Sequence, residues 1–541
     1  MSEPSRDRVD VGVLFVHGIG NQPEGSTLKE GGGLARTLGG WARPVTEPDW
    51  KQVPGDPKSR LVEIGSGTDS RTALAAEGWW AGEVPAPGAG TLLWWLLSVV
   101  PLVVPRVLDA GLRRSSMRMD DADWWRPLFF GSGVVRLAQN AFVVAATLSL
   151  LAALVALWAL ALPRAALDRI RSAGPRAGDA PVLVPVLCGT ALGAAVLLVI
   201  PGTSAKQGAV AVLAMLILVT GWTLPRLLNT TLAAFVGDCY ALLRQEPIER
   251  AMVQRVESCL AWLEGEVKGA PIVIVAHSQG AELVRRVIAE RENGVRGLVT
   301  YGAGIAKLDA VDRLRASPWT AIAALALRIV SAAIAVVAVV VVVRTWLALD
   351  ALAIAIALLA VALVPLSGAR KLLQKVVGES YTSDRFGFGP KKVGRWLDLQ
   401  TANDPVSEGA LPIDASWGEA REIVNARVLL LDHVLYWRNV EGFCAPLILE
   451  LATVVGLGHP AEVGNAVRAA AADRTRRVGH RVLLRVAFVA VAVAAFVVAS
   501  GIARFIIAGA LLLAAAGVEW LLVSRAGARA RRWSPCSDAQ G

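Results

Sequence analysis

Long apolar runs with almost no charged side chains set the pattern of this chain. Each has about the 20 residues that a helix needs to cross roughly 30 Å of hydrocarbon. None contains more than one charged residue, and they lie at 137–163, 181–201, 207–225, 317–343, 346–367, 486–503 and 505–523. The pattern predicts transmembrane helices rather than the buried helices of a soluble protein.

A shorter apolar run, 91–105, is the weakest candidate span because it carries Pro101. The more polar stretches lie at about 8–90, 229–316 and 368–480, and they must share one side of the membrane if they fold together. Each apolar insertion then crosses the membrane an even number of times. The second and third insertions form hairpins, and the first needs 91–105 as its fourth crossing.

The distribution of positive charge predicts the orientation, because cytoplasmic loops are enriched in Lys and Arg. On the side of the polar stretches, basic residues cluster at 164–176, 370–375, 474–485 and 525–532. The opposite turns carry only Lys206, Arg344 and Arg504, although one loop with four arginines, 113–126, contradicts the pattern. The polar stretches are therefore predicted to be cytoplasmic, in an integral protein of the plasma membrane.

Composition supports a membrane protein. Hydrophobic residues make up 54% of the 541 residues and charged residues 18%, below the roughly 25% of soluble domains. The net charge of +10 comes from arginines beside the apolar runs, which favours anionic lipid headgroups as partners over nucleic acid. The five cysteines form no C-x-x-C pair, so neither a disulfide framework nor a zinc site is expected. No metal or other cofactor is predicted.

Two short apolar runs in the polar stretches are typical of buried strands in a mostly parallel sheet. The run 11–16 ends at His17 and Gly18, and the run 271–276 leads into Ser278 and then into a helical pattern. A strand, a sharp turn with serine at its apex and a helix form the structure in which a G-x-S-x-G motif supplies a nucleophile. The sequence therefore predicts an α/β fold with helices on both faces of the sheet.

The chemistry of a serine nucleophile explains the residues around it. The tight turn needs small side chains two positions before and after the serine, and these are Ala276 and Gly280, with His277 between. The helix that follows favours negative charge at its N-terminus. The main-chain N–H of Gln279 is the first expected oxyanion donor, and the second is expected near Gly18 or Ile19. A serine that merely caps the helix is the structural alternative.

A serine hydroxyl is a weak nucleophile until a base removes its proton. His433, His459 and His480 are the histidines that follow Ser278 in the chain. His480 lies in an arginine-rich stretch and His459 in a glycine-rich loop, whereas His433 follows an apolar run. We therefore predict His433 as the base; a histidine that only packs beside Trp437 is the alternative.

The acid that orients this base should lie between the serine and the histidine in the chain. Asp404, in the turn N-D-P-V after a predicted strand, is the preferred candidate. Asp398 lies within that strand, Asp414 lies in a later loop and Asp432 adjoins the predicted base. A turn-forming Asp before Pro is the alternative role for Asp404.

The chain resembles α/β-hydrolases of the lipase and esterase type in four short motifs. They are His17-Gly18, A-H-S-Q-G at 276–280, N-D-P-V at 403–406 and D-H-V-L-Y-W at 432–437. The last two motifs resemble class 3 lipases in particular, whose G-H-S-L-G is A-H-S-Q-G here. The resemblance covers about half of the chain. It implies an α/β-hydrolase fold in which Ser278, Asp404 and His433 form a catalytic triad.

The resemblance implies a membrane-embedded serine hydrolase that cleaves acyl esters. The hairpin 317–367 enters where this superfamily commonly has a lid, so a substrate with an acyl chain taken from the lipid bilayer is expected. A thioesterase or amidase would use the same residues, and an inactive scaffold or a transporter are the alternatives. The oligomeric state is not predicted.

The chain is thus divided into hydrolase and membrane segments. The hydrolase pieces are 1–90 with the oxyanion turn, 229–316 with the nucleophile and 368–480 with the acid and histidine. The remaining segments are a membrane region of three or four helices at 91–228, hairpins at 317–367 and 481–524, and a basic tail at 525–541.

Overall fold

The structure is a computed structural model that describes part of the chain. It describes residues 9–18, 23–28, 42–44, 56–64, 71–84, 95, 140, 143–144, 147, 233–344, 349–377, 386–401, 404, 406–407, 411–423, 425 and 431–457. Several predictions therefore lie outside the described residues: Ile19, His459, His480, the runs 181–201, 207–225, 486–503 and 505–523, the tail, and most of 91–105 and 137–163.

A mixed, mostly parallel sheet forms the centre of the fold. Its strands are β1 (Val11–Val16), β2 (Ala42–Pro44), β3 (Ser59–Ile64), β4 (Arg71–Glu77), β5 (Ile272–His277), β6 (Gly297–Tyr301), β7 (Trp396–Thr401) and β8 (Gly418–Ile423). The eight strands lie in the order β2-β3-β4-β1-β5-β6-β7-β8. All neighbours pair in parallel except β2 with β3 and β3 with β4. The predicted mostly parallel sheet is confirmed.

Helices follow most of the later strands. They are α1 (Ala233–Arg244), α2 (Glu246–Val267), α3 (Gln279–Glu290), α4 (Ile305–Ala316), α5 (Pro318–Arg344), α6 (Leu349–Val377), α7 (Leu431–Val434) and α8 (Ala445–Val455). Short turns of tighter or wider helix occur at Ala81–Glu83, Tyr436–Arg438 and Val440–Cys444.

Each face of the sheet has its own hydrophobic core, because successive side chains of a strand point to opposite faces. On one face Leu14 of β1 and Ile274 of β5 belong to the core that includes Leu263 of α2. On the other face Val13 and Val273 belong to the core that includes α8. Burying one Val or Leu side chain in this way contributes about 1.5–3 kcal/mol. The two cores fix the register of the central strands, and with it the positions of the loops that follow them.

The helix α2 shows how local sequence sets these elements. Glu246 and Glu249 lie in its first turn, where negative charge is favoured, and a proline lies there too. Its buried residues recur every three or four positions, from Met252 to Val267, and face the sheet. The helix ends where Lys268 adopts a positive φ of 48°. This amphipathic pattern packs α2 against one face of the sheet.

The hairpin formed by α5 and α6 exposes large apolar side chains on its outer surface. Ala335, Ala362 and Leu366 pack between the two helices, whereas Trp319 is 80% exposed and Val364 is 68% exposed. By length and composition, one helix among the described residues could cross a membrane, at Ile356–Val376, and α5 contains a shorter apolar stretch. The helix α6 covers the predicted run from Leu349 onward and continues through its basic residues to Val377.

Candidate active site

Ser278 lies at a strained turn between β5 and α3. Its φ of 54° and ψ of −121° form a combination that L residues rarely adopt. Such strain costs on the order of 1–3 kcal/mol and persists only where the surroundings impose it. The end of β6 braces the turn: the N–H of Ser278 donates to the carbonyl of Tyr301 at 3.1 Å, and the N–H of Gly304 donates to the carbonyl of Ser278 at 3.1 Å. The expected strand, turn and helix around Ser278 are thus all present.

Two glycines allow the main chain to approach this turn closely. A Cβ atom on Gly280 would lie 2.3 Å from the carbonyl oxygen of His17, and one on Gly18 would lie 2.6 Å from the Cβ of Ser278. Real Cβ atoms essentially never make contacts this short. Ala276, the small residue before the serine, is fully buried in β5. These small residues let the turn after β1 lie directly against Ser278.

A chain of hydrogen bonds joins the three side chains that the sequence singled out. Ser278 Oγ lies 2.9 Å from His433 Nε2. On the other side of the ring, His433 Nδ1 lies 3.0 Å from both Oδ1 and Oδ2 of Asp404. Because the carboxylate can only accept, Nδ1 carries the proton, and Nε2 is left to accept from the hydroxyl of Ser278. All three residues are buried.

Asp404 is held ionised by its neighbours. Its Oδ1 accepts from the N–H of Val406 at 2.7 Å and of Ser407 at 3.2 Å, and its Oδ2 accepts from the hydroxyl of Tyr436 at 2.8 Å. Burial alone would raise the pKa of Asp404, but His433 and these hydrogen bonds outweigh burial and lower the pKa to about 2. A fixed negative charge therefore faces Nδ1 of the imidazole, where it stabilises a protonated ring.

The other aspartates considered as the acid have different partners. Asp398, within β7, accepts from the hydroxyl of Thr300 at 2.6 Å, and burial raises its pKa to about 7. Asp432, within α7, accepts from the hydroxyl of Thr401 at 3.0 Å. Asp414 forms a turn in a loop, where its carboxylate accepts a main-chain N–H. Asp404 is the aspartate that the structure brings to His433.

Two further histidines lie beside the site: His17 is buried, and His277 is partly buried. The ring of His277 stacks between Tyr301, at a centroid distance of 4.5 Å, and His433, at 4.6 Å. The ring of His17 stacks on Trp80 at 4.8 Å. Burial is the main cause that lowers the pKa of His17 to about 4 and that of His277 to about 3, and His433 lowers the latter further. Both rings are therefore neutral near pH 7, and neither adds a positive charge near the base.

Acid should destabilise the protein through these two histidines. Between pH 6 and pH 5 each histidine is mostly protonated in the unfolded chain and neutral in the folded chain, so each lowers the free energy of unfolding by about 1.4 kcal/mol per pH unit as the pH falls. Asp398 acts in the opposite direction, because it is protonated in the folded state below about pH 7 and in the unfolded state only near its ordinary value of 3.8. In unfolding of the full chain in detergent between pH 6 and pH 5, Asp398→Asn should therefore steepen the loss of stability with falling pH by about 1.4 kcal/mol per pH unit. Equal slopes for the two proteins would contradict this assignment.

Of the predicted oxyanion donors, two lie beside Ser278. Gln279 begins α3, directly after Ser278, and its side chain is buried: Nε2 donates to the carbonyl of Asp238 at 3.1 Å, and Oε1 accepts from Cys239 at 3.6 Å. These contacts hold the first turn of the helix. Gly18 lies against the serine, as its contact distances show.

Other residues of the site were not singled out from the sequence. Tyr436 belongs to the D-H-V-L-Y-W motif, but its hydrogen bond to Asp404 became apparent only in the structure. Glu77, at the end of β4, accepts main-chain N–H groups of Gly25 and Thr27 and so fastens the segment after β1. Trp80 donates its ring N–H to the carbonyl of His17 at 3.0 Å. The acidic residue directly after the short apolar run 73–76 was the sequence feature that could have revealed Glu77.

Comparisons of the chain with protein-family models, curated proteins and solved structures returned no match. A hydroxyl, an imidazole and a carboxylate in one hydrogen-bonded row can move a proton from the hydroxyl to the ring as the oxygen attacks an electrophile. Among the described residues there is no group of three or more His, Cys, Asp or Glu side chains suited to a metal ion.

Proposed function

We propose that this chain is a membrane-embedded serine hydrolase of the α/β-hydrolase superfamily, similar to lipases and esterases, which cleaves acyl esters. The observation that carries the proposal is the row of hydrogen bonds from Ser278 through His433 to Asp404, with a serine at a strained turn between strand and helix. A serine that only caps a helix needs neither the imidazole nor the carboxylate. The built row therefore favours an enzyme over an inactive scaffold.

The arrangement of the sheet supports the same conclusion. Ser278 follows β5, Asp404 follows β7, and His433 comes after β8. These strands are parallel neighbours of β6 or of one another, so their carboxyl ends meet at one edge of the sheet. Ligands of open α/β sheets bind at that edge. Nucleophile, acid and base also follow one another in the chain order of α/β-hydrolases.

In the proposed reaction Ser278 Oγ attacks the carbonyl carbon of an ester while His433 Nε2 takes the hydroxyl proton. The negative charge that develops on the carbonyl oxygen is stabilised by the N–H of Gln279 at the start of α3 and by a second donor near Gly18. His433 then returns the proton to the leaving alcohol, which leaves an acyl-enzyme. Water, deprotonated by the same ring, hydrolyses this intermediate and restores the serine. A thioester or an amide would follow the same steps.

The hairpin α5–α6 supports a location in the lipid bilayer. It enters between β6 and β7, and its outer surface exposes large apolar side chains, including Trp319, Ile356 and Val364. Such a surface favours contact with hydrocarbon over contact with water. With the other apolar runs of the sequence, the hairpin would hold the catalytic edge near a cytoplasmic membrane surface. An acyl chain could then reach Ser278 from the bilayer.

Labelling with a fluorophosphonate, which reacts with activated serines, tests the proposal. The full-length chain in isolated membranes should be labelled, Ser278→Ala should not be, and Ser258→Ala should be labelled like the wild type, because Ser258 is an exposed serine on α2. The labelled chain should remain with the membranes after a wash in alkaline carbonate. Folded wild-type protein that takes no label would reject the hydrolase, and labelled protein released by carbonate would reject the membrane location alone. Rates of hydrolysis of an ester, a thioester and an amide that carry the same acyl chain would then define the substrate class.

A further inference from the structure

We propose that His277 is a positioning residue of the proposed reaction: its side chain holds the main chain of His433 and so sets the distance between base and nucleophile. The inference rests on the proposed function. Its basis is a direct contact, in which His277 Nε2 lies 3.1 Å from the carbonyl oxygen of His433. A carbonyl oxygen can only accept, so Nε2 is the protonated nitrogen and donates the hydrogen bond.

Because of the position of His277 in the chain, this hydrogen bond links two distant segments of the site. His277 directly precedes Ser278 and ends β5, whereas His433 lies on the one-turn helix α7, 156 residues further on. An isolated helix of a single turn is not stable by itself, because helix nucleation is unfavourable. The hydrogen bond from His277 ties α7 to the strand that carries the nucleophile. The two reacting side chains are thereby attached to one rigid edge of the sheet.

The ring of His277 is itself fixed on several sides. It stacks on Tyr301 with an interplanar angle of 14° and on His433 with an angle of 26°. A Cβ atom on Gly18 would lie 2.7 Å from its Nδ1, so the turn after β1 also lies against the ring. A donor held in this way has little freedom to turn from its acceptor. The base is then oriented twice, through its ring by Asp404 and through its main chain by His277.

The neutrality of His277 is consistent with this role. Burial, and then the neighbouring His433, lower the pKa of His277 to about 3. A second imidazolium here would oppose the positive charge that His433 gains during the reaction. A neutral donor fixes the base without that repulsion. The sequence A-H-S-Q-G thus places a donor one residue before the nucleophile.

Three substitutions separate the hydrogen bond from the ring. His277→Phe keeps a planar ring and removes the donor, and His277→Asn places its amide one atom too close to the main chain. His277→Gln places an amide N–H as many bonds from Cβ as Nε2 of histidine. A misplacement of about 1 Å costs on the order of 100-fold in rate. We expect kcat to fall by about 10- to 100-fold in the Phe and Asn variants with KM nearly unchanged, and to recover to within about threefold of wild type in the Gln variant.

The full-length protein in detergent should be compared on one ester, with active sites titrated to completion by a fluorophosphonate so that kcat refers to folded enzyme. A lower titratable fraction with unchanged kcat per site would show a purely structural residue and overturn the inference. Recovery by Phe instead of Gln would assign the effect to ring stacking and also overturn it. Failure of the wild type to hydrolyse any ester or take label would instead reject the proposed function, which keeps the two outcomes distinct.

Discussion

Replacing Ser278 by glycine should abolish turnover and yet give a more stable protein than replacing it by alanine. Both changes remove the nucleophile, and the loss of a serine that acts with its base lowers kcat on the order of 10⁴- to 10⁶-fold. Their effects on stability differ because the residue has a φ of 54°. Alanine keeps the strain of about 1–3 kcal/mol at this backbone, whereas glycine adopts it freely and loses only part of the gain through its greater freedom in the unfolded chain.

The comparison needs two measurements on the full-length chain in detergent: ester turnover, and thermal or denaturant unfolding. We expect Ser278→Gly to exceed Ser278→Ala by about 1 kcal/mol in the free energy of unfolding, with both inactive. The exposed Ser258→Ala serves as the control for turnover. Equal stability of the two variants would contradict a strained turn, and turnover near the wild-type level in either would contradict a covalent serine mechanism.

Replacing Asp404 by asparagine should lower kcat by about 10⁴-fold while leaving the protein folded. The carboxylate fixes the proton on Nδ1 of His433 and faces the positive charge of the protonated ring, with both of its oxygens 3.0 Å from that nitrogen. Asparagine preserves the shape, but its amide can donate to Nδ1 and so favour the wrong tautomer. The affinity for substrate should change little, because this carboxylate does not contact the substrate in the proposed reaction.

The matched control is Asp398→Asn. Asp398 is also buried and lies within β7, the strand that Asp404 follows, but it accepts from Thr300 and its pKa is raised to about 7. An amide resembles the protonated carboxyl, so turnover should stay within a few-fold of wild type. Initial rates on one ester, normalised to titrated sites, distinguish the two aspartates. A large loss in Asp398→Asn with little change in Asp404→Asn would reassign the acid.

The central strands and the nucleophile turn could be predicted from the sequence because their signals are local. The apolar runs that became β1 and β5 each end at a glycine or serine turn, and both strands are buried on two faces. Asp404, the proposed acid, could also be predicted from the sequence, because it lies in a short turn after β7. In these segments the apolar run and the turn residues that follow it depend on few distant contacts.

Other elements of the fold depend on contacts between residues far apart in the chain, and they could not be predicted from the sequence. The strands β2, β3 and β4 have weak apolar patterns, and β3 reads S-R-L-V-E-I, so antiparallel pairing at this edge left little trace in the sequence. The helix α7 has only one turn, and its position depends on the hydrogen bonds that Thr401 donates to Asp432 and that His277 donates to the carbonyl of His433. The end of α6 could not be read from the apolar run 346–367, because basic residues end the apolar pattern without ending the helix.

The insertion between β6 and β7 has a consequence for how the chain reaches its native state. Thr300 and Asp398 are hydrogen-bonded neighbours in adjacent strands, although 98 residues separate them along the chain. The strand β1 likewise cannot complete its pairing until β5 has been synthesised, because Val13 pairs with Val273. Contacts of such long sequence separation form slowly, because loop closure precedes the gain from pairing. During synthesis, therefore, the sheet cannot be completed until the α5–α6 hairpin has left the ribosome. Until β7 follows, the edge of β6 that will pair with it has unpaired main-chain N–H and C=O groups.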